Sequence, residues 1–195
     1  MQLLKHRQDR LYLTVGCTDT MNAVLMDLYH KILTEKNPAM NLHMETHYSY
    51  ELYGLLENHE IDIGFVYHHL HFRNIIAEPV LREKMYIVQP ENARIRKPSI
   101  HTDELDPSDE VFVSWDGNFR IWHDQRIGQG KLPKVWVDSF GLLDHMLEED
   151  GVWAIVPASV VDRISQLKPI YISRIANEVQ PPERTIYKIK HRISQ

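Results

Sequence analysis

The sequence predicts an α/β protein of two lobes joined by two crossover segments. Three observations carry this expectation. The first 67 residues alternate strand and helix patterns in the order β-α-β-α-β, which argues for a parallel sheet covered by helices. A second β-α-β cycle begins at Glu110, after a polar stretch (91–109) that holds Pro98 and Pro107. The 195 residues, 43% hydrophobic and 25% charged, are ordinary for a globular chain and suffice for one large domain or two small lobes.

The elements follow in order. "LYLTVGC" (11–17) alternates Leu11, Leu13, Val15 and Cys17 on one face, a strand pattern. "TDT" supplies Thr18 and Asp19 as helix N-caps. Met21, Val24, Leu25, Leu28, Ile32 and Leu33 then recur at helical spacing, and Pro38 ends that helix by biasing Asn37 away from it. "NLHMETH" (41–47) alternates again. A second helix runs from about Ser49 to His59 with Leu52, Leu55 and Leu56 inward, and "IDIGFVY" (61–67) is apolar throughout, as a strand covered on both faces is. "IIAEPVL" (75–81) and "KMYIVQP" (84–90) read as strands, and 91–109 as a linker.

In the second cycle, "EVFVSW" (110–115) is a strand. "GNFRIWHDQRIG" is a helix with Phe119 and Trp122 inward and Gly128 past its end. "KVWVDS" (134–139) is a strand, Ser139 caps the next helix and Gly151 stops it. "VWAIVP" (152–157) is a buried strand, and Pro157 suits the first turn of the helix after it. "KPIYI" and "TIYKIK" are short strands joined by "EVQPPER". The lobe boundaries expected are 11–89 with about 180–195 for lobe I, and 90–179 for lobe II.

Composition narrows the function. The net charge of −5 disfavours a free-standing nucleic-acid-binding domain. A single cysteine, Cys17, rules out an internal disulfide and allows a reducing compartment. No apolar run is long enough to span a bilayer, and the charged opening "MQLLKHRQDR" lacks the core of a signal peptide, so a cytoplasmic location and no membrane partner are expected. There is no P-loop and no G-x-G-x-x-G.

The order of motifs resembles the effector-binding domain of LysR-type transcriptional regulators. "LTVGCTDT" is similar to the family's strand-to-helix opening, and "LLENHEIDIGFVY" to its leucine-rich helix and acidic strand. "AEPVLREKMYIVQPEN" resembles the strands leading into the crossover, and "LEEDGVWAIVPASVV" the glycine turn, buried strand and proline. The family tends to carry two glycines at 150–152, where this chain has only Gly151. The resemblance covers about 11–190. It implies a type II periplasmic-binding-protein-like fold, a small-molecule effector held between the lobes, and association into a homodimer or tetramer through the helix at 20–36. It also implies contact with DNA only through an N-terminal winged-helix domain, of which residues 1–10 would be the linker remnant.

The candidate effector residues lie where strands give way to helices or loops. Thr18 and Thr20 open the first helix, whose N-terminus favours a carboxylate or phosphate, though a threonine there can equally serve as a cap. In "YHHLH" (67–71), Tyr67 and His68 sit at the end of the third strand, either reaching an effector or lying in a solvated loop. A metal site there lacks a fourth ligand, so none is expected. In the second lobe Ser114 and Trp115 follow one strand, and Ser139 and Phe140 follow another. Trp115 could stack on a planar ligand or pack at the lobe junction. Asp138 opposes an anionic effector, and Asp62 reads as structural. Cys17 lacks a recognisable base, so no catalytic residue and no cofactor are expected. The competing readings are a solute-binding protein of a transporter and an enzyme on the same two-lobed fold.

Overall fold

The computed structural model describes residues 12–36, 40–127 and 130–192. Expectations for Leu11, Pro38, Gly128 and the 1–10 linker lie outside the described residues. In chain order the first elements are β1 (Tyr12–Cys17), α1 (Asp19–Lys31), β2 (Asn41–Thr46), α2 (Ser49–Glu57), β3 (Ile63–Val66), β4 (Ile75–Glu83) and β5 (Met85–Pro90). Then come β6 (Ser99–Ile100), β7 (Val111–Val113), α3 (Gly117–Arg126), β8 (Val135–Val137), α4 (Phe140–Met146), β9 (Ala154–Pro157), α5 (Ala158–Leu167), β10 (Ile170–Ile175) and β11 (Arg184–His191). The chain divides into two compact units. Unit 1 runs up to Leu81 and resumes at Thr185, and unit 2 is Arg82–Arg184.

Unit 1 holds a five-stranded sheet in the order β2-β1-β3-β11-β4. Strands β1, β2 and β3 are parallel, with Cys17 level with both Thr46 and Phe65, and β11 pairs antiparallel with β3. Alternation along β1 decides which helix each side chain meets. Cys17 packs with Met21 of α1 and Ile186. Its neighbour Gly16 faces α2, where an added Cβ would stand 2.4 Å from Leu52 Cδ2. Leu52, Tyr53 and Leu56 of α2 build the other cluster with Ile61, Val66, Ile75 and Ile189. Asp62 is structural: its Oδ2 accepts from Thr14 N at 2.8 Å, and its own N–H donates to Thr14 O, stitching β1 to the residues that lead into β3.

Unit 2 holds a four-stranded sheet, β6-β10-β5-β9, and the pair β7-β8. β7 and β8 are parallel, and a parallel bridge between Glu110 and Trp153 ties the start of β7 to the residues before β9. Inside this unit lies a buried polar pair: His123 Nε2 stands 2.9 Å from both carboxyl oxygens of Glu110. Burial raises the Glu110 pKa, and His123 opposes that shift. A second buried pair, Arg184 Nε on Glu83 Oε1 at 2.7 Å, joins the start of β11 to the end of β4.

Several sequence expectations change. The segment 91–109 is not an open linker: Ala93, Ile100, Thr102 and Leu105 are buried, and β6 pairs with β10. The boundary falls after Leu81 rather than at 89/90, because β5 pairs with β9 and β10 and so belongs to unit 2. Leu28 does not face the core; Tyr29 does, while Met26 and Leu28 point outward. Gly151 has φ +79°, so the turn before β9 needs one glycine, and Asp150 avoids the left-handed region.

Candidate functional site

In unit 1 the carboxyl ends of β1, β2 and β3 lie side by side, and α1 and α2 start from that edge. Thr18 is the N-cap of α1 in extended conformation, yet its side chain makes no capping hydrogen bond. Its Oγ1 is buried and has no hydrogen-bond partner among the described residues. The capping role that the sequence equally allowed is therefore not taken up. An unsatisfied buried hydroxyl costs about 1–3 kcal/mol. A ligand able to bond to it removes that penalty.

Thr20 and Tyr67 are brought together: Thr20 Oγ1 and Tyr67 OH are 2.9 Å apart. Tyr67 N–H donates to Ser49 Oγ at 3.2 Å, and His47 N–H donates to Cys17 O at 3.1 Å. These bonds lock the ends of all three strands to the first turns of α1 and α2. Asn22, which no local pattern marks, completes the lock. Its Oδ1 accepts from Cys17 Sγ at 2.6 Å, and its Nδ2 donates to Thr46 Oγ1 at 2.6 Å.

His68 behaves differently from Tyr67. Its side chain is exposed, and its carbonyl accepts from Tyr53 OH at 2.7 Å. The same phenol oxygen accepts from Leu70 N–H, so Tyr53, raised in pKa mainly by burial, anchors the "YHHLH" loop through backbone groups. His69 stacks on Tyr187 and meets His71 edge-on. Among the described residues no group of three or more His, Cys, Asp or Glu is placed to hold a metal ion.

The unit 2 candidates occupy the corresponding strand ends. Ser114 is exposed after β7, and Asp116 rather than Ser114 caps α3, accepting from Phe119 N at 2.8 Å. Trp115 is 5% exposed, its indole N–H is given to Ile155 O at 2.7 Å, and the Arg184 guanidinium lies 5.0 Å from its ring centroid. It has no indole donor left to offer. Ser139 caps α4, accepting from Leu142 N at 3.3 Å, and Phe140 is buried.

Cys17 brings a free thiol to the unit 1 edge. Burial pushes its thiol up to about 11, with the Tyr29 hydroxyl pulling weakly the other way. Tyr29 is itself raised, by burial first and then by Cys17. Two groups that both hold their protons do not make a nucleophile and a base. No helix among the described residues is long and apolar enough to cross a membrane.

The sequence matches the family described as "LysR substrate binding domain" over residues 6–192. None of the curated proteins compared with the chain matches it. Among solved structures, full-length OxyR C199D from Pseudomonas aeruginosa is similar, with TM-score 0.74 and 20% identity over 95% of this chain and 66% of that one. The regulatory domain of MexT, a transcriptional activator in Pseudomonas aeruginosa, has TM-score 0.73 and 18% identity over 92% of this chain and 89% of that one. The reduced regulatory domain of OxyR2 from Vibrio vulnificus has TM-score 0.73 and 17% identity over 95% and 89%. At such identities the likeness is one of fold. This chain spans less than two thirds of full-length OxyR.

Proposed function

This chain belongs to the LysR substrate-binding domain family, with its type II periplasmic-binding-protein-like fold, and we propose that it senses a small polar effector recognised in part at the N-terminus of α1. Regulators of this family bind small-molecule effectors and DNA and act as oligomers. The single observation that carries the reading is the orphan hydroxyl of Thr18, beside the Thr20–Tyr67 pair. Unit 1 contributes Thr18, Thr20 and Tyr67, with the His68 side chain at the margin. Within unit 2, taken by itself, the candidates are Ser114, the Ser139 hydroxyl and the turns around Trp115 and Phe140. The domain would work by binding, as regulators of the family bind effectors, while burial raises the Cys17 thiol. DNA contact falls to other parts of the regulator, given the net charge of −5 here. Its place is the cytoplasm. An anionic effector fits the α1 N-terminus, although Asp19 in that helix's first turn limits how much charge it carries.

The test is a thermal-shift screen of polar metabolites followed by titration of Thr18→Val. Losing one buried hydrogen bond costs about 1–3 kcal/mol, so a confirmed effector should bind roughly tenfold or more weakly. The unliganded variant should melt no lower than the wild type, because it removes a hydroxyl that has no partner among the described residues. An effector that binds Thr18→Val as tightly as the wild type would place the site elsewhere.

A further inference from the structure

Unit 2 contains a cavity that the effector reading leaves unused. β6 and β10 run parallel with Ile100 level with Ile175, so the chain leaves both strands at one edge. Ala176 N–H donates to Ile100 O at 2.8 Å. The next residue, Asn177, turns its side chain onto Thr102: Oδ1 accepts from Thr102 N at 3.0 Å, and Nδ2 donates to Thr102 Oγ1 at 2.7 Å. Both residues are buried. The end of α3 closes on the same edge, because the Trp122 indole N–H donates to Val179 O at 2.8 Å. Between these elements lies a cavity of about 500 Å³. Small-molecule sites commonly measure about 300–1,000 Å³.

The charged groups on its walls are of two kinds. Asp103 is occupied, its carboxylate 3.4 Å from His101 Nδ1. Arg126, the last residue of α3, and Glu178, beyond the end of β10, also line the cavity. Their side chains form no hydrogen bond or ion pair with any described residue, nor with each other. A guanidinium and a carboxylate that border one space without meeting leave room for a ligand carrying both charges. Ala176 and Val179 add apolar wall, and Val179 is 51% exposed.

We propose that this cavity is a second ligand site, built by unit 2 alone, and that it takes an α-amino acid with an apolar side chain. The ligand's carboxylate meets Arg126, whose planar fork of N–H groups matches a carboxylate. Its ammonium meets Glu178, and its side chain lies along Ala176 and Val179. A ligand of one sign finds only one of the two unpaired groups, and Asp103 further opposes a net anion. The Asn177–Thr102 bonds hold the floor in place before a ligand arrives, which lowers the ordering cost of binding.

The experiment is calorimetric titration with L-valine, L-leucine and L-methionine, each beside its N-acetyl and its amide counterpart. At least one amino acid should bind, roughly tenfold more tightly than either counterpart, since each counterpart removes one charge-assisted bond. Arg126→Gln should weaken that amino acid by a similar factor and leave its amide unaffected. Glu178→Gln should weaken it likewise and leave the N-acetyl compound unaffected. Both variants should melt like the wild type, because neither side chain has a partner to lose among the described residues. Binding of none of the three, equal binding of an amino acid and its counterparts, or binding that either variant leaves intact overturns the proposal. Thr18→Val separates the two sites and should leave this affinity unchanged. An amino acid weakened by Thr18→Val and not by Arg126→Gln belongs to unit 1, which sinks the second site and leaves the effector reading standing.

Discussion

Cys17 shows how one residue's surroundings decide its chemistry. It ends β1, next to a helix start, where a thiolate would ordinarily be favoured. Burial overrides that, raising the thiol from 9.0 to about 11. The thiolate fraction at pH 8 is then lower by about 100-fold than for an ordinary thiol, since each unit of pKa is a factor of ten. Alkylation by iodoacetamide at pH 8, followed by mass spectrometry, should be slower in the native protein by about that factor than in urea. Equal rates would mean that the thiol is not held in the core. The folded state keeps the proton that the unfolded state gives up, so this group's contribution to stability falls as pH rises from about 9 to about 11. Sequence alone placed Cys17 in the core by alternation with Leu13 and Val15. It could not supply Asn22 or Tyr29, because their contacts depend on how α1 lies over β1.

At the scale of elements, the end of α2 carries a local conflict. The helix stops at Asn58, and His59 takes φ +60°, the left-handed position usually given to glycine. His59 N–H donates to Leu56 O and Glu60 N–H to Leu55 O, so the turn is fully bonded, and the imidazole stacks on His191 at 4.0 Å. A side chain in that conformation costs about 1–2 kcal/mol, against a modest gain from the ring contact. His59→Gly should therefore raise the melting temperature by a few degrees, corresponding to about 0.5–1 kcal/mol. A lower melting temperature would show that the His191 stack outweighs the backbone. The pattern "NHEID" hints at a helix stop but not at its handedness. Short elements were illegible for a related reason. β6 is two residues long and exists because β10 lies beside it, its paired residues 75 positions further along the chain. The apolar run of β5 identified a strand, while the sheet it joins is fixed only by its pairing with β9 and β10.

At the scale of the whole molecule, the two α/β units and the strand ends that carry the candidate site were readable, because both follow from chain order: helices begin where parallel strands end. The unit boundary was not, since it is set by pairing across long separations. The outward side of α1 was also unreadable, because periodicity marks an apolar stripe without saying what covers it. Met21 and Tyr29 are buried on unit 1, while Met26 and Leu28, 50% and 47% exposed, face away. Regulators of this family act as oligomers, and a two-fold contact places the same helix of each copy at the interface. Met26 and Leu28 are the exposed large apolar residues of α1. Sedimentation of the chain at micromolar concentration should give a species near twice 23.0 kDa. Leu28→Arg would force a charge into the contact, and it should return the mass to 23.0 kDa with little change in the melting temperature of the monomer, because residue 28 is 47% exposed and lies outside the core clusters of the described residues. A wild-type chain that sediments as a monomer, or a Leu28→Arg variant that remains a dimer, would remove α1 from the interface.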